Sequence, residues 1–139
     1  YKAKSLGRLH ECLEVIRPGT SMYRRIGPEF RTTAGRPVRG LLFVITECSN
    51  PSQEDDFNQW YNEVHIPDIF STGLYHTAYR YEKVRYKQGR GRYLAMYETE
   101  QNPSEAFREI LEEHRPRWLE QKRYIDSLQV RLIESLERL

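Results

Sequence analysis

The sequence predicts an α+β domain in which a four-stranded antiparallel sheet carries two helices on one face. Residues 40–136 run as strand, helix, strand, strand, helix, strand, judged by apolar β-forming runs and amphipathic helical stretches. The tripeptide Asn-Pro-Ser occurs at Asn50 and again at Asn102, each time after a predicted strand and before a predicted helix. This repeat indicates an approximate duplication of a β-α-β unit, whose natural packing is an antiparallel sheet with both helices on one side.

Residues 1–38 precede this domain and carry mixed signals. Apolar residues between positions 6 and 16 keep helical spacing and are followed by the stop signal Arg-Pro-Gly, which predicts a short helix near residues 5–17. The stretch from 20 to 37 is rich in Gly, Pro, Arg and Thr and is interpreted as an irregular arm. We therefore divide the chain into an N-terminal helix and arm, residues 1–38, and a single domain, residues 39–139.

The first β-α unit begins with the apolar run G-L-L-F-V-I-T at residues 40–46, which predicts a buried central strand. Asn50 suits the N-cap of the following helix, and Pro51 suits its first position. One continuous face of that helix carries Phe57, Trp60, Tyr61, Val64 and His65. Pro67 is expected to disturb the helix, and Gly73 marks the turn that leaves it.

The next two predicted strands form a hairpin. Residues 74–84 alternate strongly, and a glycine-containing connection at 87–91 leads to a strand at 92–99. One side of the first strand carries Tyr75, Thr77, Tyr79 and Tyr81, and the other carries His76, Ala78, Arg80 and Glu82. Both sides are amphipathic, so the pattern leaves open which one faces the helices. We favour the tyrosine side, with Tyr97 of the next strand as a further pocket wall.

The second β-α unit completes the predicted fold. The helix after Asn102 buries Phe107, Ile110 or Leu111, His114 and Trp118, and Pro116 is expected to kink it. Residues 127–136 alternate and predict a last strand, with a C-terminal helix at 133–139 as the alternative. The arrangement is ferredoxin-like. Its sheet has one face bare of helices, and we expect a second copy of the chain to cover it.

Composition restricts the class of protein further. The chain has 139 residues, of which 38% are hydrophobic and 30% charged, and its mean hydropathy is −0.81. We therefore expect it to be globular rather than disordered. No segment reaches the ~18 apolar residues of a membrane span. A net charge of +2 without a recognition motif argues against a nucleic-acid partner. Cys12 and Cys48 lie far apart, which favours free thiols in the cytoplasm.

Several segments together resemble a known family. They are F-x-x-W-Y-x-x-x-H-I-P-D from Phe57, then Gly73, A-Y-R-Y-E from Ala78 and R-Y-L-A-M-Y-E from Arg92. Over about residues 40–135 the chain resembles the EthD-like branch of the dimeric α+β barrel superfamily. The resemblance implies a homodimer whose sheets close into a barrel-like core, with a pocket in each subunit between helices and sheet. Members and relatives include muconolactone isomerases, polyketide cyclases and cofactor-independent quinol monooxygenases.

His65 and Asp68 are the candidate catalytic pair, because residues three apart are neighbours on a continuing helix. In one interpretation His65 is a general acid or base and Asp68 fixes its tautomer. In the other, His65 is a buried residue bonded to backbone and Asp68 caps the following turn. The residues expected to contact substrate are Phe57, Trp60, Tyr61, His76, Tyr79, Tyr97 and His114.

The leading functional expectation is a cofactor-independent enzyme that moves protons on a small aromatic or polyketide-like molecule, as a cyclase, isomerase, dehydratase or decarboxylase. The alternatives are a non-catalytic ligand-binding or interaction module and a cofactor-free monooxygenase. We expect no cofactor and no metal. A haem would use His65 or His114 as axial ligand, but nothing else in the sequence favours it, and clustered metal ligands and a glycine-rich phosphate loop are missing from the pattern.

Overall fold

A five-stranded antiparallel sheet is the framework of the computed structural model, which describes residues 21–32 and 34–138. Its strands follow the spatial order β1-β3-β4-β2-β5. They are β1 (Tyr23–Arg31), β2 (Gly40–Cys48), β3 (Thr77–Lys83), β4 (Tyr93–Thr99) and β5 (Leu128–Glu137). Strands β2 to β5 are the four predicted from the sequence, and with the two helices they confirm an α+β fold compatible with the ferredoxin-like arrangement.

The predicted count of four strands is wrong, because part of the expected irregular arm forms β1. This strand pairs with β3 at the edge of the sheet, and its register shifts between Ile26 and Phe30. The shift spans Gly27, which has a φ of +69°, and Pro28, which has no amide hydrogen to donate. Edge strands tolerate both residues at a bulge, where one ladder bond is already missing. The helix predicted near residues 5–17 lies outside the described part of the chain.

Two helices pack on one side of the sheet, and each begins at its Asn-Pro-Ser sequence. The first helix (residues 51–71) consists of a 3₁₀ turn Pro51–Gln53, an α-helical part Glu54–Trp60, a π-helical turn Tyr61–His65 and a second α-helical part Ile66–Ser71. The second helix (residues 103–120) consists of Pro103–Glu109, the π-helical turn Ile110–His114 and Arg115–Glu120. The π turns divide both helices at corresponding places.

The predicted N-caps are confirmed. The Oδ1 atom of Asn50 accepts a hydrogen bond from the amide of Ser52 at 3.1 Å. The Oδ1 atom of Asn102 accepts bonds from the amides of Ser104 and Glu105 at 3.0 and 3.1 Å. These bonds satisfy amide groups that have no partner within the helix, so the repeated tripeptide fixes both helix starts.

Each π turn is followed closely by a proline. Pro67 and Pro116 are the second residues of the α-helical parts that resume after the π turns. A proline inside a helix removes one backbone donor and crowds the preceding turn, and a π turn supplies a wider turn there. The disturbance expected at Pro67 is therefore present as the π turn before it, and the helix continues beyond it to Ser71.

The register of β3 contradicts the preference for the tyrosine side. Arg80 points at the first helix, where its Nη atoms donate to the side-chain oxygens of Asn58 and Asn62 at 2.8 and 2.9 Å. Tyr79 lies on the other side, with the Arg25 guanidinium 4.6 Å from the centre of its ring. Both Nη atoms of Arg80 find acceptors beneath the helix, whereas its Nε has no partner among the described residues, so the side carrying Arg80 is buried although its hydrogen bonding is incomplete.

The face of the sheet that points away from the helices is the open face. Half-buried apolar side chains cover its centre, namely Phe43, Ile45, Leu94 and Met96. Leu132 and Leu136 of β5 are exposed at its edge. The alternative of a C-terminal helix is wrong, since β5 extends to Glu137. No helix among the described residues has the length and apolar character to cross a membrane.

Candidate active site

The π turn of the first helix places His65 among aromatic rings. Its imidazole stacks on Trp60 with ring centres 5.0 Å apart and meets Tyr61 edge-on at 4.9 Å. Tyr124, from the loop between the second helix and β5, approaches from a third side at 5.9 Å. Packing of this kind fixes the orientation of the imidazole ring, because each contact restricts its rotation.

A cavity of about 290 Å³ lies between the helices and the sheet and has His65 in its wall. The strands contribute aliphatic side chains such as Leu42, Val44 and Leu128, and the helices contribute Ile69, Phe107 and Ile110. The polar or charged lining residues are Thr46, Tyr61, His65, Tyr97, Arg115 and Tyr124. A mainly apolar cavity with a few convergent polar groups is the usual form of a small-molecule site.

His65 is neutral over the physiological pH range. Burial lowers its pKa to about 4, and although the nearby Asp68 carboxylate acts in the opposite direction, the Arg80 charge reinforces the decrease. No hydrogen bond joins either ring nitrogen to a residue in the described ranges. A neutral imidazole in a cavity wall with uncommitted nitrogens can accept a proton or a hydrogen bond from a bound molecule.

Asp68 is engaged elsewhere. Both of its carboxylate oxygens accept hydrogen bonds from the guanidinium of Arg123, at 2.7 and 2.9 Å. Asp68 therefore acts on His65 through its charge, and the hydrogen bond that would fix the His65 tautomer is not seen among the described residues. A hydrogen bond from the His65 ring to a backbone group, which the other interpretation requires, is not seen among the described residues either.

Two buried phenols lie next to each other in the cavity wall. The hydroxyl oxygens of Tyr61 and Tyr97 are 3.4 Å apart. Burial raises the pKa of both phenols, that of Tyr97 well above its ordinary value, so both remain protonated. Protonated phenols can donate hydrogen bonds to an oxygen that gains negative charge.

Arg80 supports this wall from behind. It is 1% exposed, and its guanidinium carbon lies 4.3 Å from the centre of the Tyr61 ring. Within the described residues its polar partners are the amide oxygens of Asn58 and Asn62, and no carboxylate pairs with it. A buried cation whose charge is not neutralised by a carboxylate makes this end of the cavity electropositive.

The comparisons with known proteins name a family without assigning an activity. The family model described as "Domain of unknown function (DUF4286)" matches residues 41–132, which is well over half of the chain. The chain belongs to the DUF4286 family. No curated protein matches the chain.

The DUF4286 match begins in β2 and ends in β5. It therefore contains both helices, their π turns and every described cavity-lining residue except Ile133. Strand β1 lies outside it. The family description gives no reaction, so any function must be argued from the site itself.

The DUF4286 domain brings together only some of the residues proposed from the sequence. Tyr61, His65 and Tyr97 line the cavity. Phe57 and Trp60 belong to the aromatic packing behind that wall, where Phe57 stacks on Tyr93 at 5.5 Å and the Trp60 Nε1 donates to the carbonyl of Arg123 at 2.8 Å.

The other three proposed contacts lie away from the cavity. His76 is buried, and its ring bonds to the Thr77 hydroxyl at 2.8 Å and to the carbonyl of Pro37 at 3.0 Å. Tyr79 lies on the open face. His114 stacks on Trp118 in the second helix with ring centres 5.8 Å apart.

The second helix repeats the π turn and the terminal histidine of the first. His65 and His114 are each the last residue of a π turn, and each precedes a proline by two positions. Only His65 lines the cavity. Asp68 in the first helix corresponds to Arg117 in the second, so the duplication keeps the histidine and reverses the charge beyond it.

Sequence reasoning missed Thr46, Arg115 and Tyr124, and it placed Arg80 beside the helices only under the less favoured alternative for β3. Two asparagines one helical turn apart, Asn58 and Asn62, were the available signal for Arg80, because their spacing places two acceptors on one side of the helix. Among the described residues no group of three or more His, Cys, Asp or Glu side chains has the geometry to hold a metal ion.

Proposed function

We propose that this protein is a cofactor-independent enzyme that binds a small, largely apolar molecule of aromatic or polyketide-like character and moves a proton on it through His65. The observation that carries the proposal is the position of a neutral imidazole, with its nitrogens uncommitted among the described residues, in the wall of a 290 Å³ cavity. A pair of protonated phenols lines the same cavity.

The arrangement suits removal of a proton from a carbon next to a carbonyl group. His65 accepts the proton, and the hydroxyls of Tyr61 and Tyr97 donate hydrogen bonds to the enolate oxygen that forms. The positive charge of Arg80 beneath Tyr61 favours negative charge at this end of the cavity. Because the pKa of His65 is low, its imidazolium form readily returns the proton, and the enolate can proceed to cyclisation, isomerisation or dehydration. In a decarboxylation the enolate forms by loss of CO₂ instead, and the same phenols would donate hydrogen bonds to its oxygen.

Assignment to the EthD-like branch of the dimeric α+β barrel superfamily is part of this proposal. It is supported by the strand and helix order, by the cavity between helices and sheet and by the apolar open face. In that assembly a second copy of the chain covers the open face, and each subunit keeps its own cavity. Sedimentation equilibrium tests this step, and a monomer at micromolar concentration would contradict it.

Deuterium incorporation tests the proposed proton transfer. The protein is incubated in D₂O with a panel of aromatic ketones, and mass spectrometry follows exchange at the carbon next to the carbonyl. We expect His65→Ala to lower the exchange rate by about 10²-fold or more, the usual contribution of a general acid or base. His114→Ala is the matched control, because His114 ends the equivalent π turn but does not line the cavity.

Folded His65→Ala protein that exchanges as fast as the wild type would overturn the catalytic role. That result would favour the second candidate function, a non-catalytic small-molecule-binding module. One observation already supports this alternative: Asp68 is bound to Arg123, so His65 lacks the orienting carboxylate that many catalytic histidines have.

A further inference from the structure

Over the residues that the structure describes, the mouth of the cavity is apolar except for Arg115. Leu111, Arg115 and Leu119 follow one another at spacings of four residues, and all three line the cavity. Val130 and Ile133 of β5 complete this rim, and the four apolar rim residues are exposed. Exposed aliphatic side chains around an opening indicate that the molecule entering it is itself largely apolar.

Arg115 is available to a ligand. It lies on the exposed side of the second helix, and none of the ion pairs among the described residues includes it. None of the cavity-lining residues in the described part of the chain is Asp or Glu. The positive charge of Arg115 affects Tyr124, another cavity-lining residue. It lowers the pKa of the Tyr124 phenol, although burial raises that pKa by more. An arginine guanidinium binds a carboxylate through two parallel hydrogen bonds, which neither a lysine nor a neutral donor reproduces.

Thr46 provides an independent indication at the strand side of the cavity. It is 1% exposed and lines the cavity, and its Oγ1 has no hydrogen-bond partner among the described residues. Buried hydroxyl groups nearly always have a partner, so an orphaned one in a cavity wall indicates an oxygen or nitrogen on the bound molecule.

We infer that the cavity binds a small organic acid, with its carboxylate on Arg115, its apolar body among the aliphatic lining and a second oxygen on the Thr46 hydroxyl. This inference names the substrate class of the proposed function and rests on that function only in using the same cavity. It agrees with the buried, carboxylate-free Arg80, which makes the interior favourable for negative charge.

Matched ligands test the carboxylate. Isothermal titration calorimetry compares 4-phenylbutyrate with 4-phenylbutanamide, which differ in charge but hardly in shape. We expect the acid to bind at least about tenfold more tightly than the amide, and Arg115→Gln to remove this preference while leaving amide binding unchanged. Arg117→Gln is the control, because Arg117 lies on the same helix, bonds to the Glu113 carbonyl and does not line the cavity.

A second ligand pair tests Thr46. We expect 4-oxo-4-phenylbutyrate to bind more tightly than 4-phenylbutyrate, and Thr46→Val to abolish that difference without weakening 4-phenylbutyrate. The inference is overturned if acid and amide bind equally, if Arg115→Gln and Arg117→Gln have the same effect, or if none of the three compounds binds.

These outcomes separate the inference from the proposed function. In one outcome the acid and the amide bind equally, and Val44→Trp, which blocks the cavity, abolishes the binding of both. The cavity is then a small-molecule site, but it has no preference for an organic acid. In another outcome the acid binds selectively through Arg115, but His65→Ala leaves the deuterium exchange rate unchanged. The ligand is then an organic acid, and the proposed proton transfer by His65 is rejected. Failure of all three compounds to bind counts against both.

Discussion

Asp68 and Arg123 form a bidentate ion pair that joins the first helix to the loop after the second helix. The pair has N···O distances of 2.7 and 2.9 Å. Trp60 reinforces it by donating to the backbone carbonyl of Arg123. The next residue in that loop, Tyr124, lies against the imidazole of His65. The ion pair therefore positions one wall of the cavity while holding the Asp68 carboxylate away from the histidine ring.

Opposite pKa changes at His65 are expected when the two members of this pair are neutralised. Asp68→Asn removes a charge that raises the pKa of His65, so the pKa falls below about 4. Arg123→Gln leaves Asp68 charged and unpaired, so the pKa of His65 rises. An NMR titration of the His65 ring proton measures both changes.

Either change should cost little stability, because Arg123 is 43% exposed and solvent screens the pair. Arg117→Gln, on the second helix, serves as the control for loss of a positive charge. Shifts of the His65 pKa in the same direction for Asp68→Asn and Arg123→Gln would contradict the electrostatic account.

Acid destabilisation should include a contribution from His65. Its pKa in the folded protein is about 4, below the ordinary value of 6.5, chiefly because of burial. Between these pH values the unfolded chain binds a proton that the folded chain does not, so stability is lost as the pH falls. The contribution of neutral His65 is complete above pH 6.5 and decreases toward pH 4, by up to about 3 kcal/mol.

Urea unfolding of the wild type and of His65→Gln measures this loss. Because glutamine does not titrate, the free energy of unfolding of the variant should fall less steeply than that of the wild type between pH 6.5 and 4.5. Parallel curves over this range would show that His65 is as easily protonated in the folded protein as in the unfolded chain.

The parts of the fold that were predicted correctly depend on local patterns. The Asn50 and Asn102 caps are signalled by their own tripeptides, and their hydrogen bonds reach only two or three residues along the chain. Tyr61 and His65 are four positions apart, so helical spacing alone brings both to one side of the first helix.

The parts that were missed depend on contacts distant in sequence. Spacing suggested that Asp68 would serve His65, but its partner is Arg123 in a loop beyond the second helix. Alternation in β3 could not show which side faces the helices, because Arg80 becomes compatible with burial only when Asn58 and Asn62 lie above it. A charged side chain in a core is specified by its partners, and these were not adjacent in the sequence.

Gly91 and Gly89 provide a matched test of packing in the loop between β3 and β4. Both have a positive φ, +82° and +88°, so alanine strains the backbone at either position. A Cβ at Gly91 would lie 2.3 Å from Cγ2 of Ile45, whereas a Cβ at Gly89 meets open space.

We expect Gly89→Ala to lower the free energy of unfolding by about 1–2 kcal/mol. Gly91→Ala should lower it by a further 1–3 kcal/mol or so, because Ile45 must move. Chemical denaturation of both variants measures the difference. Equal losses would mean that this loop does not press on the sheet in solution.

Glu47 holds the same loop from inside the sheet. Its side chain is 2% exposed, and its carboxylate accepts bonds from the Tyr86 hydroxyl at 2.7 Å, from the amides of Gly89 and Gly91 at 3.0 and 3.3 Å, and from Arg131 Nε at 2.8 Å. Burial raises the pKa of Glu47, but these hydrogen bonds outweigh burial and hold the pKa below its ordinary value.

Replacing Glu47 by Gln should lower the free energy of unfolding at pH 7 by about 1–3 kcal/mol, because an amide nitrogen faces donors and the ion pair is lost. The folded-state pKa is depressed, so the contribution of the carboxylate is present above the ordinary pKa and is lost as the pH falls through the folded value. The stability curves of wild type and Glu47→Gln should therefore converge in acid.

Glu134→Gln, an exposed change on β5, should alter stability by less than about 0.5 kcal/mol at either pH. A Glu47→Gln protein as stable as wild type at pH 7 would show that the loop is held by its backbone and not by this carboxylate.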